Sequence, residues 1–207
     1  MTISFNPYLQ TNAAGMFQVA SDGLIVGTAM PDPPARNWLA GGYLAATETL
    51  PMFGGVGISE NVAKHTPAPQ PIDALGGSII RATAEPGSAA GSLTGFSVFD
   101  QNYAAVNTPQ SPVPSVAAGG LVNFYRLGSN ARVALAIDPT LITLEGGVIS
   151  QQVSWDFANQ KIIAFATAAL PVKILYVLAT GCYVPVYNAG TGFITWNYNG
   201  SAALVQL

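Results

Sequence analysis

Residues 183–207 read YVPVYNAGTGFITWNYNGSAALVQL, and no side chain among them is charged. Two runs rich in Val, Tyr, Ile and Trp flank NAGTG, a cluster of turn-forming residues. On the second run Ile194, Trp196 and Tyr198 alternate with Thr195 and Asn197. A period of two puts alternate side chains on one face of an extended chain, so the segment is expected to be a β-hairpin. The uncharged stretch extends further back, because the last ionisable side chain of the Lys, Arg, Asp or Glu type is Lys173, leaving 34 residues without one.

The same pattern recurs upstream. In QQVSWDF (151–157), Val153, Trp155 and Phe157 share a face, ANQ supplies a turn, and KIIAFAT is the return strand. LVNFYRL (121–127) and ARVALAI (131–137) flank Gly128, Ser129 and Asn130, which is the spacing of a hairpin with a three-residue loop. There Val133, Leu135 and Ile137 point one way, and Asp138-Pro139 ends the strand because proline has no ladder donor. Short strands punctuated by turns predict a mainly β protein, an antiparallel β-sandwich or barrel. The N-terminal part is less regular. GMFQVASDGLIVGTAM (15–30) suggests a hairpin turning at Ser21, Asp22 and Gly23, and Pro33 or Pro34 could open one short helix. HTPAPQP (65–71) and NTPQSPVPS (107–115) read as proline-rich linkers or surface straps. Residues 1–74 are therefore expected to form an extended arm and irregular region, and 75–207 an antiparallel β domain packed with it as one unit.

Composition narrows the function. Half of the 207 residues are apolar, but only 8% are charged and the net charge is −3. An ordinary soluble domain has about 25% charged residues, and its repulsive, mixed-sign surface keeps it dispersed. Such scarcity implies that partners cover part of the exterior. Membrane insertion is not expected: the most apolar stretch, 161–187, is broken by Pro171, Lys173, Gly181 and Pro185, whereas a spanning helix needs about 20 uninterrupted apolar residues. The first 21 residues lack the basic and apolar regions of a secretory signal, so a cytosolic origin is expected. Asn199-Gly200-Ser201, a glycosylation sequon by pattern, then reads as a turn.

Chemistry-bearing motifs are sparse. Cys182 is the sole cysteine and, in TGCYVPV, reads as a buried small hydrophobe. His65, the sole histidine, sits in a loop with no nucleophile elbow anywhere in the chain. One His and one Cys cannot build a usual zinc site, and the ten carboxylates are too dispersed for a calcium loop. FGGVGIS (53–59) lacks dinucleotide-fingerprint spacing, and no phosphate-loop lysine is present. Seven scattered basic residues form no nucleic-acid patch. No enzyme activity, metal or cofactor is expected.

ETLPMFGGVGISE (48–60), VNFYRLGSNARVALAIDPTL (122–141), SQQVSWDFANQ (150–160) and TGFITWNYNGSAALVQL (191–207) resemble the structural cement proteins of tailed bacteriophages, which decorate and reinforce the icosahedral head. The resemblance implies a mostly β, non-enzymatic and oligomeric protein, with a trimer favoured. It implies a virion protein, made in the host cytoplasm, that binds the outer surface of the major capsid protein lattice. Independently of it, apolar and aromatic residues in the irregular region and the tail are the candidates for contact: Phe5, Tyr8, Leu9, Trp38 and Phe53 toward the capsid, and Trp196, Tyr198 and Leu207 toward other subunits. For each of them an ordinary core position is the competing reading, and for the tryptophans it is the favoured one. Another virion subunit such as a tail-tube protein, or a carbohydrate-binding β module stacking sugars on Trp38, Trp155 and Trp196, are the alternatives.

Overall fold

The computed structural model describes residues 24–30, 37–61, 78–87, 91–99, 108, 110–144, 152–166 and 168–207. The protein is mostly β. Five short strands close a barrel in the order β1 (Leu39–Leu44), β3 (Ser78–Arg81), β2 (Gly57–Asn61), β4 (Gly95–Val98) and β5 (Leu121–Arg126). Four of its pairings are antiparallel, and β1 runs parallel to β3, which departs from an all-antiparallel barrel. Because β1 and β2 precede residue 75 while the other three strands follow it, a division at 74/75 cuts through one closed sheet. Closure leaves these five short strands no open edge against one another.

The second layer is a three-stranded sheet of β6 (Arg132–Ala136), β10 (Phe193–Gln206) and β9 (Lys173–Asn188), accompanied by the hairpin of β7 (Val153–Asp156) and β8 (Lys161–Ala164). A 3-10 helix, Pro139–Leu144, follows β6 where Asp138-Pro139 ends the strand. Alternation explains how the layers meet. On β5, Val122 and Phe124 join Leu44, Ile58 and Ile79 inside the barrel, while Tyr125 turns outward with Phe96 and Val98 of β4. That outer wall packs on Val133, Leu135, Ile162, Ile174 and Val205 of the second layer, with Trp155 at its centre. Trp155 meets Phe96 edge-on, with ring centroids 4.8 Å apart, a favourable aromatic geometry.

Two expected features are corrected. Gly128, Ser129 and Asn130 do form a turn, but β5 and β6 are not a hairpin: β5 pairs with β1 and β4, and β6 pairs with β10. The reason is that β5 is buried on both faces and belongs inside one sheet. The turn carries the chain into the other, with Gly128 and Asn130 both at positive φ (83° and 58°). The C-terminus fixes it there, since Asn130 N donates to Leu207 O at 2.9 Å and Leu207 N to Ala131 O at 2.9 Å. Asn199-Gly200-Ser201 is not a turn; it lies within β10, where the ladder shifts register between Asn197 and Gly200 and again before Ala202.

Residues 24–30 tie the two layers together. Val26 N donates to Tyr183 O on β9, Gly27 N to Ala134 O on β6, and Phe99 N just beyond β4 to Gly27 O. The Gly27 backbone crosses that of Gly54 so closely that a Cβ on Gly27 would lie 2.4 Å from Gly54 Cα. The expected turn at 21–23, the expected helix start at 33 or 34 and the 65–71 strap lie outside the described residues. Of the second proline-rich strap, Val113 is fully buried and Ser111 is clamped to β10: its Oγ accepts from Ile194 N at 3.0 Å and donates to Ile194 O at 3.3 Å.

Candidate functional site

The longest strands of the described structure form the terminal hairpin, 16 residues in β9 and 14 in β10. Its turn is built as the sequence indicates. Asn188 Oδ1 accepts from Gly190 N at 2.9 Å, and Gly192 N donates to Asn188 O at 2.8 Å. One face of the distal half packs inward: Ile194 and Trp196 join the barrel cluster, Trp196 lying 6.0 Å from the Phe99 ring. The opposite phase, Phe193, Thr195 and Asn197, faces solvent together with Val186. Phe193 is 41% exposed, Val186 45% and Tyr198 38%. Tyr198 sits at the register break, edge-on to Tyr183 with centroids 5.5 Å apart. The hairpin thus presents apolar and aromatic side chains, and no charge, to water.

Among the described residues, its edges are also largely unpaired. β10 is covered by β6 only from Ala202 to Gln206. On the outer side of β9, the pairing among the described residues is the Ile25–Tyr183 bridge. A long uncharged edge is a template for strand pairing.

The candidate contact residues separate accordingly. Trp196, Leu207 and Phe53 are buried within the chain, at 5%, 4% and 8% exposure, and serve as core. They are corrected as candidate contacts. Trp38 (64% exposed) and Tyr198 remain on the surface. Phe5, Tyr8, Leu9 and His65 lie outside the described residues. Trp155 is core, which removes it from any sugar-stacking set. Val186 and Phe193 were missed, although their phase was readable: they alternate with the inward-facing Tyr187, Ile194 and Trp196.

Cys182 is fully buried between Val26, Ala136 and Ala202, and burial pushes its thiol above the ordinary range. Among the described residues no three His, Cys, Asp or Glu side chains come together as a metal-binding group. No described helix is long and apolar enough to cross a membrane.

Below the hairpin, a cleft of about 410 Å3 opens between the barrel corner (Phe53, Arg81), the β7–β8 turn (Asn159, Lys161) and the hairpin (Tyr187, Asn197). Arg81 is its notable side chain. The guanidinium lies over the Phe53 ring at 5.3 Å and Nη2 donates to Pro51 O, while the buried Nε has no partner. Burial pulls its pKa below the ordinary value, against the opposing pull of Glu48 and Tyr187. The Glu48 carboxylate is occupied with the Arg81 backbone N–H at 3.0 Å. The ion pairs among the described residues, Arg126–Glu60 and Lys161–Asp138, leave Arg81 out.

Comparison of the chain with protein-family models, curated proteins and solved structures finds no match to any of the three.

Proposed function

We propose that this chain is a non-catalytic decoration protein of a phage head, a homo-oligomer, favoured as a trimer, that binds the outer surface of the major capsid protein lattice and braces it against packaged DNA. The observation that carries the reading is the terminal hairpin's solvent-facing surface, where Phe193, Val186 and Tyr198 are exposed in a stretch without charge. Interface cores are depleted of charged residues and enriched in aromatic ones, and desolvating neutral side chains avoids the penalty attached to ions. The sequence resemblance to cement proteins supplies the identity of the partner. Repetition on a lattice then makes modest contacts durable, because attachment through several subunits multiplies.

A tail-tube subunit is the second reading, favoured by the open β9 edge, which could continue a sheet from one subunit into the next. One experiment tests both. The purified protein is mixed with heads lacking it, sedimented, and imaged by electron microscopy. Added density over the head exterior is the expected result. Density along a tail replaces the first reading with the second, and a protein that stays monomeric by light scattering and leaves heads bare refutes both.

A further inference from the structure

We propose that Asn199 is a self-modifying residue: the backbone nitrogen of Gly200 displaces its side-chain amide, and water opens the resulting succinimide to a carboxylate. Asn199-Gly200 is the one Asn-Gly pair in the chain. Nucleophile and electrophile belong to neighbouring residues, so the step closes a ring within the chain and needs no ligand or cofactor. Glycine leaves that nitrogen least obstructed, because it has no Cβ. Packing keeps a glycine there, since a Cβ at Gly200 would lie 2.3 Å from Val184 Cγ2.

The fold frees this pair from the ladder. Tyr198 and Asn199 together oppose the single residue Tyr183, between the pairs Asn197–Val184 and Gly200–Cys182, as in a β-bulge. Tyr183 turns its own N–H and C=O to Leu24 and Val26, and Asn199 N–H donates to Asn197 Oδ1 at 3.1 Å rather than to β9. Asn199 is exposed, and its Oδ1 accepts from Gly181 N at 3.2 Å. That donor draws electron density from Cγ and faces the oxygen on which charge develops during attack. As the bond from Gly200 N to Cγ forms, the Cγ–Nδ2 bond breaks, and the Gly200 proton leaves with Nδ2 as ammonia. Water then adds at either ring carbonyl, giving aspartate or isoaspartate. Aspartate keeps an oxygen for the Gly181 N–H, so the bond that anchors the side chain survives. It also places a negative charge beside Tyr198, in a run of 34 residues that carries none. Burying an ion in a contact is costly, so conversion weakens association through the hairpin. This consequence rests on the reading of the hairpin as a contact surface; the chemistry does not.

To test the chemistry, the folded protein is kept for days at mildly alkaline pH, and its tryptic peptide 174–207 is fragmented in a mass spectrometer. The expected result is a gain of about one mass unit at Asn199, absent at Asn188 and Asn197, with isoaspartate among the products. No gain at Asn199, equal gain at all three asparagines, or aspartate alone, as direct hydrolysis gives, overturns the site. Asn199→Gln, whose ring would be six-membered, is expected to show no gain and to self-associate and attach to heads as fresh wild type does. Asn199→Asp is expected to do both about fivefold more weakly, with an unchanged Tm. Equal behaviour of the two variants, or weaker association that comes with a lower Tm, overturns the consequence and leaves the chemistry standing. A fresh wild type that neither attaches nor self-associates refutes the head-decoration reading and this consequence with it, whatever the mass spectra show.

Discussion

Replacing Gly27 by alanine tests whether residues 24–30 really lock the barrel to the second layer, and Gly128 provides its internal control. Both glycines have nearly the same positive φ, 87° and 83°. Each substitution therefore meets the same left-handed backbone penalty, about 1 kcal/mol, partly offset by the reduced freedom of the unfolded chain, about 0.4–1 kcal/mol. What differs is space. A Cβ at Gly128 meets nothing within 4 Å, whereas at Gly27 it falls 2.4 Å from both Gly54 Cα and C. Carbon atoms settle about 3.5–4.0 Å apart, so one backbone must retreat by roughly an ångström. That movement strains the Gly27 N–Ala134 O and Phe99 N–Gly27 O bonds, both 2.8 Å. Overpacking of this kind costs about 1–3 kcal/mol. The expected difference between the variants is thus about 2 kcal/mol, or roughly 4–8 °C in Tm for a chain of this size. Urea unfolding at constant m-value measures it. If Gly27→Ala proves no more destabilising than Gly128→Ala, the crossing of Gly27 over Gly54 is wrong, and with it the account of how the layers are joined.

Other outcomes follow from particular side chains. Val186→Lys with Phe193→Glu is expected to weaken self-association or head attachment at least tenfold, while each shifts stability by no more than about 0.5 kcal/mol, as exposed positions do; sedimentation and thermal melts read the two effects separately. Arg126 bonds Glu60 through Nε at 2.8 Å and Nη2 at 2.7 Å, and this holds the Glu60 carboxyl below its usual 4.5. The unfolded glutamate binds protons first, so the pair's contribution is fully present above about pH 4.5 and lost as pH falls through the depressed folded value. With Arg126 half exposed, that contribution is about 0.5–1 kcal/mol. Glu60→Gln should flatten this part of the stability–pH curve below 4.5, and an unaltered slope would remove the pair from the account. Cys182 is expected to resist thiol reagents in the native protein and to react promptly in denaturant; fast native labelling would contradict its burial.

How much of this was legible in the sequence depends on the range of the contacts. The β7–β8 and β9–β10 hairpins were readable because each is made by neighbours in the chain and marked by alternation around a turn. The length of β9 was not, since Gly181 and Pro185 look like punctuation. Both are tolerated because one lies opposite the irregular part of β10 and the other sits where no described strand pairs with the outer edge. A barrel was among the architectures expected, but its strand order and parallel closure were invisible for another reason. Its strands are four to six residues long, and its parallel closure joins Tyr43 and Leu44 to Ser78 and Ile79. No local pattern announces such a pairing. The same holds for Arg81, whose significance comes from what buries it. Tyr198 shows the limit of phase reading: it has the parity of Ile194 and Trp196 but falls at the ladder break, and there parity no longer dictates burial.

The placement of charge bears on why an exposed, uncharged hairpin need not polymerise without limit. Within the described residues the ion pairs belong to the barrel and the β7–β8 region, at Arg126–Glu60 and Lys161–Asp138, while no side chain beyond Lys173 is charged. The solvent-facing side chains of the terminal hairpin beyond Lys173 are therefore neutral, and association through Phe193 and Val186 buries no charged group of the hairpin itself. An unguarded straight edge would invite open-ended sheet growth. The β9–β10 ladder is not straight: it shifts register three times, between Asn197 and Gly200, before Ala202 and before Val205. Such irregularities bend and twist the strands that carry them, and Pro185 removes a donor from β9. A neighbour can thus pair over a few residues and pack on Phe193 and Val186, but cannot repeat the contact indefinitely in one register. That geometry favours a closed oligomer or a seat on a lattice of another protein. Removing the first of these shifts, by deleting one residue between Asn197 and Gly200, straightens the distal half of the ladder that carries Phe193 and Val186 and should promote fibrous aggregation detectable by light scattering. Retention of the same mass in solution would show that the break between Asn197 and Gly200 does not limit assembly.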